Sequence, residues 1–153
     1  MDFKRLLGTF ATGVTVVTGV SKQGRPIGMT ASAVSAVSLK PPLLLVCVSK
    51  NARFHAQWDH STGFVLNVLA HDQESLSRRF AKRVDNPFDG IEHTLHDTGP
   101  ALLAGVAAQI VCGRWSDYDA GDHTVFFGEV LDGRVFDRRP LIHHRSAYTT
   151  TAE

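Results

Sequence analysis

The sequence predicts a mostly β protein, an antiparallel small barrel with a few short helices on its outside. Runs of β-branched and apolar residues of strand length recur along the 153 residues, whereas helical periodicity is confined to short segments. Strands and helices do not alternate regularly, which argues against a doubly wound parallel sheet. The length is that of one ordinary domain, so we expect a single domain over residues 1–153.

Three short segments have helical character. The first follows Asp2, a candidate N-cap, and its apolar residues recur at helical spacing: Phe3, Leu6, Leu7 and Phe10. The second, residues 51–59, carries Phe54 and Trp58 at helical spacing. The third, residues 72–82, is expected to place Leu76 and Phe80 on one face and the polar residues on the other, namely Ser77, Arg78 and Arg79.

Strand character fills most of the remaining chain. Residues 12–20 and 27–39 are extended segments on either side of a turn, so we expect them to form an antiparallel pair. After two prolines, residues 43–48 form a continuous apolar run, which predicts a strand buried on both faces. Further strands are expected at residues 64–69, 106–115, 123–131 and 140–144, with a loop over residues 84–100.

The predicted strand that begins at His123 is apolar on both of its faces. Val125 and Phe127 share one face with His123, and Phe126 and Val130 lie on the other. A small barrel has only one interior, so the second apolar face needs another cover. We therefore expect a homodimer.

Composition excludes several classes of function. The formal net charge is only +1, which gives no general attraction to nucleic acid. No apolar run is long enough to span a membrane, and the N-terminal residues lack the apolar core of an export signal. Cys47 and Cys112 lie in apolar runs without CxxC spacing, which indicates buried reduced thiols and a cytoplasmic protein.

Several common catalytic motifs are absent. No two glycines are separated by a single residue, so the sequence has no dinucleotide-binding Gly-x-Gly-x-x-Gly turn, and it has neither a Walker loop nor a Gly-x-Ser-x-Gly elbow. Among eight histidines, His93 with His96 and His143 with His144 are the nearest to a metal-ligand spacing. We interpret them as solvated loop histidines and expect no metal site.

Residues 28–42 form an unusual extended segment of small and hydroxyl side chains. Such a segment leaves backbone donors and acceptors open to the edge of a flat, polar ring. The alternative is that its hydroxyl residues are ordinary edge-strand residues: Thr30, Ser32, Ser35 and Ser38.

Two further segments carry candidate ligand-binding side chains. Ser49 and Asn51 precede a predicted helix, where free N–H groups and the charge of Arg53 favour a phosphate; the alternative is a plain N-cap. His123 follows a Gly121–Asp122 turn at the mouth of a strand. It is either a hydrogen-bonding group for a ligand or a turn residue whose ring satisfies Asp122.

Taken together, the motifs resemble the short-chain flavin reductase family over nearly the whole chain. They are Ala11-Thr-Gly-Val-Thr-Val-Val-Thr, Gly28-Met-Thr-Ala-Ser, Val37-Ser-Leu-Lys-Pro-Pro, Phe64-Val-Leu-Asn-Val-Leu, Arg79-Phe-Ala and Gly121-Asp-His-Thr-Val-Phe-Phe-Gly-Glu-Val. The resemblance implies a homodimeric, FMN-binding type of split β-barrel. It also implies the reductase component of a two-component flavin-dependent monooxygenase.

The implied activity is that of an NAD(P)H:flavin oxidoreductase. A hydride passes from NADH or NADPH to FMN or FAD, and reduced flavin is supplied to a partner monooxygenase or halogenase. This chemistry needs two stacked rings and groups that stabilise negative charge on the reduced flavin, which explains the lack of a catalytic triad.

The resemblance also implies site residues. His123 is the expected catalytic residue, next to the nicotinamide. The residues expected to bind the flavin are Thr30, Ala31, Ser32, Ala33, Val34, Ala36, Val37, Asn51, Ala52, Arg53, Phe54, Phe80, Ala81, His123 and Tyr148. Two positions depart from the family pattern: Ala36 stands where many relatives have serine, and the usual glycine near Ser146 is missing.

Two alternatives to a flavin reductase remain open. The same barrel can hold flavin as a carrier without turnover, or it can oxidise a substrate on tightly bound FMN, as pyridoxine-phosphate oxidases do. The second alternative needs a cationic cage for a substrate phosphate. The pairs Arg78–Arg79 and Arg138–Arg139 are candidates for such a cage, but we interpret them as solvated surface residues.

Overall fold

The computed structural model describes residues 1–152, and the protein is mostly β, as the sequence predicts. In that range no helix is both long and apolar enough to cross a membrane. The helices are α1 (Phe3–Gly8), α2 (Arg53–Gln57) and α3 (Glu74–Phe80). The strands are β1 (Thr12–Gly13), β2 (Thr15–Val20), β3 (Pro26–Ala31), β4 (Val34–Leu39), β5 (Pro42–Ser49), β6 (Phe64–Val68), β7 (His93–Leu95), β8 (Ala101–Leu103), β9 (Ala108–Ala120), β10 (His123–Val135), β11 (Ile142–His144) and β12 (Ala147–Thr149).

A seven-stranded antiparallel sheet dominates the fold. Its order is β3-β2-β6-β9-β10-β5-β4, and two smaller sheets, β1-β11-β12 and β7-β8, accompany it. The expected antiparallel pairing of the first two long strands is confirmed, since β2 pairs with β3 from Thr15 opposite Ala31 to Val20 opposite Pro26.

The prediction of one extended stretch over residues 27–39 is wrong. The stretch is divided between β3 and β4, which lie at opposite ends of the seven-stranded order. Only Ser32 and Ala33 connect the two strands. Because so short a connection joins the two ends, the sheet curls until they approach each other at this corner. The Cys47 amide of β5 donates to the Ala33 carbonyl there, at 3.0 Å.

Burial of β5 on both faces, expected from its apolar run, is also wrong. Leu44, Val46 and Val48 are buried, whereas the alternating residues Leu45 and Cys47 are only half-buried. The first set faces the core inside the curled sheet, and the second set belongs to the outer face. Alternate apolar residues therefore mark an outer surface that this chain covers only in part.

Two apolar clusters fill the protein. The first lies inside the sheet around Trp58, Phe64 and Phe126. The second lies between the sheet, α3 and the β7-β8 hairpin, around Phe80, Phe88 and Leu141.

The predicted division of α3 into an apolar and a polar face is wrong at Ser77. This side chain is completely buried. Its hydroxyl lies 2.8 Å from the Tyr148 hydroxyl, and the hydrogen bond between them offsets the cost of burying both groups. Leu76, assigned to the apolar face, is only half-buried.

The chain contains more strand than the sequence predicts. The expected loop over residues 84–100 includes β7, so His93 is a strand residue rather than a loop residue. Strands β9 and β10 are each 13 residues long, and they extend past the expected ends. These differences arise because strand pairing, within the β7-β8 hairpin or between the distant strands β6 and β9, adds order that local patterning does not show.

The first helix forms behind Asp2 as expected. The expectation of two buried thiols is correct for Cys112 and wrong for Cys47, which is only half-buried. The Asp2 carboxylate accepts a hydrogen bond from the Arg5 amide at 3.1 Å and so caps α1. Both cysteines are free, and burial raises the pKa of the Cys112 thiol to about 12, so that it stays protonated and unreactive.

The β11-β12 hairpin contains an unusual backbone conformation. His144 pairs with Ala147, and the two residues between them, Arg145 and Ser146, have φ values of 49° and 62°. A side chain in this left-handed region meets steric resistance that glycine avoids. The resemblance implies a glycine near Ser146, and this backbone conformation gives a steric reason for one.

Replacing Ser146 by glycine is therefore expected to raise the free energy of unfolding by about 0.5–1 kcal/mol, measured by urea denaturation. Ser116, an exposed residue within β9, provides the control. The same substitution there should lower stability, because glycine weakens a strand interior. A Ser146→Gly variant no more stable than the wild type would contradict the steric explanation.

Candidate functional site

A cleft of about 650 Å³ opens between the β2-β3 hairpin, α2, the end of α3 and the segment that follows α3. Apolar and aromatic residues form part of its wall, among them Ile27, Phe54 and Phe80. Its cationic residues are Arg25, Arg53 and Lys82. A cavity whose wall is partly apolar and aromatic and carries several cations suits an anionic ligand that has a planar part.

Helix α2 brings Arg53 and Phe54 to the cleft. Phe54 is buried, with its ring centroid 5.1 Å from that of Trp58, so the helix is anchored by its apolar side. Arg53 lies toward the cleft, and its guanidinium is 3.3 Å from the Asp85 carboxylate on the opposite segment. Since both side chains of this ion pair are exposed to solvent, the pair is weak enough for an anionic ligand to replace Asp85.

The plain N-cap proposed as an alternative for Ser49 and Asn51 is wrong. Ala52 occupies the N-cap position of α2 and makes no side-chain hydrogen bond. The Ser49 hydroxyl instead accepts a hydrogen bond from the Asn51 amide at 3.2 Å, and the Ser49 carbonyl accepts one from the Ala52 amide. Ser49 thus stabilises the turn that leads into α2.

Phe80 and Ala81 lie at the end of α3. Phe80 is buried and lines the cleft, while Ala81 is the exposed C-cap residue. The Phe80 ring lies against β3 at Gly28, where a Cβ atom would be only 2.9 Å from the ring. Glycine at this position therefore allows α3 to approach the strand.

Strand β3 lines the cleft at Ile27 and Gly28 and runs from there to the small-residue corner between β3 and β4. Thr30 is tied to α3, since its hydroxyl donates to the Ser77 carbonyl at 2.6 Å. The Ala31 carbonyl accepts from the Thr15 hydroxyl at 2.7 Å. Beyond them, the expected flavin residues Ser32, Ala33, Ala36 and Val37 are exposed, and Val34 is half-buried.

At this corner the backbone offers a ligand more hydrogen-bond donors than acceptors. The carbonyls of Ala31, Ser32 and Ala33 each accept a hydrogen bond from within the chain. Strands β3 and β4 each pair on one side only in the seven-stranded sheet, so they are edge strands. The edge-strand interpretation is thus correct in position for Thr30, Ser35 and Ser38 and wrong for Ser32, which lies in the connection between the strands. The unpaired outer edges leave backbone amides for a ligand.

His123 is the first residue of β10 and pairs with Ser49 of β5. Its side chain is 43% exposed, and Nδ1 lies 2.7 Å from the Asp122 carboxylate. The hydrogen bond from His123 lowers the pKa of Asp122 below its ordinary value. The contact expected of a turn residue is therefore present. It holds the ring through Nδ1, so Nε2 is the ring nitrogen that can contact a ligand.

Tyr148 does not line the cleft. Its hydroxyl is hydrogen-bonded to Ser77, and the Arg78 guanidinium lies 5.1 Å above its ring. Ser77 in turn accepts the Thr30 hydroxyl through its carbonyl. Tyr148 is thus linked to Thr30, one of the expected flavin residues, through Ser77 of α3. It is not itself exposed in the cleft.

The structure brings only part of the expected set into the cleft. Arg53, Phe54 and Phe80 line it, and the corner residues and His123 lie outside. The sequence interpretation missed Arg25, Ile27, Gly28, Lys82 and Asp85 as lining residues. No local motif marks them, because the cleft forms only where segments around residues 25, 53 and 82 meet.

The four arginines considered for a phosphate cage are engaged elsewhere. Arg78 pairs with Glu74 and Arg138 with Asp72. Arg139 donates to the Thr151 carbonyl at 3.4 Å. The interpretation of Arg79 as a solvated residue is wrong, since its guanidinium donates to backbone carbonyls of the segment after α3. Across residues 1–152, no three His, Cys, Asp or Glu side chains are grouped to hold a metal ion.

Known proteins resemble this chain over almost its whole length. It is 40% identical over 147 residues to an NADH-dependent FMN reductase of Agrobacterium fabrum, covering 96% of this chain and 83% of that protein. It is also 40% identical to the reductase subunit of a flavin-dependent monooxygenase of Rhodococcus jostii, covering 96% of this chain and 75% of the other.

A solved structure has the same fold. The NADH:FAD oxidoreductase of Streptomyces globisporus, in complex with NAD and FAD fragments, superposes with a TM-score of 0.91 at 36% identity, covering 97% of this chain and 90% of that one. The sequence pattern described as the flavin reductase like domain matches residues 7–152. The resemblance found in the sequence motifs is thus confirmed, and the chain belongs to the flavin reductase like domain family.

Proposed function

We propose that this protein is an NAD(P)H:flavin oxidoreductase that reduces FMN or FAD with NADH or NADPH and supplies the reduced flavin to a partner monooxygenase or halogenase. The observation that carries the proposal is the cleft, where the aromatic side chains Phe54 and Phe80 and the cation Arg53 meet the strand that leads to the small-residue corner. Relatives named as NADH-dependent reductases of FMN and FAD support it.

The residues fit a flavin by their chemistry. In this proposal Arg53, with Arg25 and Lys82 on the same cleft, binds the phosphate end, and Asn51 and Ala52 lie next to it. The exposed small side chains of the corner leave room for the flat ring, whose edge the backbone amides can contact. Bound flavin supplies the ring that accepts a hydride.

His123 is proposed to orient the nicotinamide. Asp122 holds the imidazole through Nδ1, so Nε2 presents a fixed hydrogen-bonding group to the ligand. Pairing of His123 with Ser49 places the histidine beside the turn that leads to Arg53. The nicotinamide and flavin sites would therefore share one set of strand ends, as hydride transfer between stacked rings requires.

The proposed assembly is a homodimer of split β-barrels, with one domain over residues 1–153. Exposed apolar side chains support a subunit interface, including Leu39, Trp115, Leu131 and Val135. The curled sheet, whose end strands are joined by two residues, supports a barrel. Two free cysteines suit a reducing compartment, in accord with a cytoplasmic protein.

The test is a steady-state assay of the four combinations of NADH or NADPH with FMN or FAD, followed by nicotinamide absorbance. A reductase oxidises the nicotinamide in a flavin-dependent way. If flavin binds and nicotinamide absorbance stays constant in all four mixtures, the protein is a carrier. If FMN copurifies tightly and oxidises pyridoxine phosphate without nicotinamide, the oxidase alternative is correct.

Replacing Arg53 by alanine is expected to raise the Kd for FMN about tenfold, because a charge-assisted contact to the phosphate is lost. The Kd for riboflavin, which has no phosphate, should change much less. Flavin fluorescence titration measures both constants. Arg114→Ala is the control, since Arg114 forms an ion pair of the same length with Asp117 away from the cleft. Equal losses for FMN and riboflavin would contradict the phosphate role.

A further inference from the structure

We infer that Arg79 is a positioning residue for the flavin cleft, which it serves by holding the backbone of residues 86–89 against the end of α3. This inference rests on the proposed function, because it concerns the same cleft. Arg79 does not line the cleft, so its effect on a ligand is transmitted through the segment that it holds.

A single guanidinium makes three hydrogen bonds to this segment. Arg79 Nε donates to the Pro87 carbonyl at 2.7 Å. Its Nη2 donates to the Asp89 carbonyl at 3.0 Å and to the Asn86 carbonyl at 3.3 Å. The planar fork of arginine carries five N–H donors in fixed directions. A lysine ammonium keeps the positive charge but cannot reproduce this fork.

The held segment forms one wall of the cleft. Val84, Asp85, Asn86 and Pro87 all line it. The segment lies outside regular strands and helices, so few repeating backbone hydrogen bonds fix its position. Its other anchor is Phe88, which is buried with its ring centroid 5.1 Å from that of Phe80. Besides the solvent-exposed ion pair of Asp85 with Arg53, Arg79 and Phe88 therefore set the distance between this wall and Arg53 on the opposite side.

The two adjacent arginines of α3, Arg78 and Arg79, have different surroundings. Arg78 pairs with Glu74 one turn earlier and lies over Tyr148, whereas Arg79 turns to the segment after the helix. This separation makes the role of Arg79 specific to the cleft wall. Loss of its fork should loosen the wall without disturbing the sheet, which is the feature that an experiment can detect.

The test uses Arg79→Lys in the full chain, with FMN as the probe. We expect the Kd for FMN, measured by fluorescence titration, to rise about tenfold, since two or more backbone hydrogen bonds are lost. Amide exchange should accelerate over residues 84–91 and stay unchanged in β6 and β9. Arg83→Lys is the control, because Arg83 is an exposed residue just before the segment; it should bind FMN as the wild type does.

Each outcome decides something distinct. Wild-type affinity for FMN in Arg79→Lys, or faster exchange spread over the whole sheet, would overturn the inference. Arg79→Gln repeats the measurement if the lysine variant does not fold. If the wild type binds neither FMN nor FAD, the proposed function is wrong, and the exchange pattern alone then decides whether Arg79 holds the segment.

Discussion

Replacing His123 by alanine is expected to lower kcat/KM for the nicotinamide about 10- to 100-fold, the loss of one well-placed hydrogen bond to a bound ligand. The Kd for FMN should remain near its wild-type value, because Arg53 and the cleft walls are unchanged. Steady-state kinetics with varied NADH, together with fluorescence titration of FMN, separate the two effects.

The matched control is His96→Ala. His96 also uses Nδ1 for a short contact, to the Thr98 hydroxyl at 2.8 Å, but it lies in another part of the chain, after β7. Its removal should leave both constants unaltered. If His123→Ala reduces flavin with wild-type kinetics, then His123 is a turn residue whose ring serves only Asp122, and the nicotinamide must be oriented by other groups.

The largest effect on stability is expected for Gly63→Ala. A Cβ atom on Gly63 would lie 2.0 Å from the Cys112 carbonyl oxygen and 3.1 Å from the Gly113 Cα. Both contacts involve the backbone of β9, to which Phe64 pairs directly, so no side-chain rotation can relieve them. We expect a loss of more than about 3 kcal/mol of unfolding free energy, measured by urea denaturation or as failure to express in soluble form.

Gly13→Ala supplies the comparison for this prediction. An added Cβ at Gly13 meets nothing within 4 Å, so its stability should change by less than about 0.5 kcal/mol. A Gly63→Ala variant with wild-type stability would mean that β6 and β9 do not approach as closely as their register requires.

Local sequence patterns predicted much of the fold. The spacing of apolar residues behind Asp2 located α1, and runs of β-branched or apolar residues located β2, β5 and β6, because side chains of these types favour those backbones. Local patterns failed to predict strand boundaries where the pairing strands are distant in sequence. Residues 27–39 look like one strand because nothing at Ser32 or Ala33 signals that the chain passes from one end of the sheet to the other.

The candidate site shows the same division. The resemblance of motifs predicted Arg53, Phe54 and Phe80, which line the cleft. It did not predict Arg25 or Lys82, whose approach to Arg53 depends on the packing of three separate segments.

The sequence by itself determined that the chain is mostly β, that its cysteines are free, and that it belongs to a flavin reductase family. These properties depend on residue type and on neighbours along the chain. Only the tertiary structure decided that Ser77 is buried, that Arg79 holds a cleft wall and that His123 is oriented by Asp122. Those properties depend on distances between atoms, and such distances are fixed only when strands pair, the sheet curls and α3 packs against it.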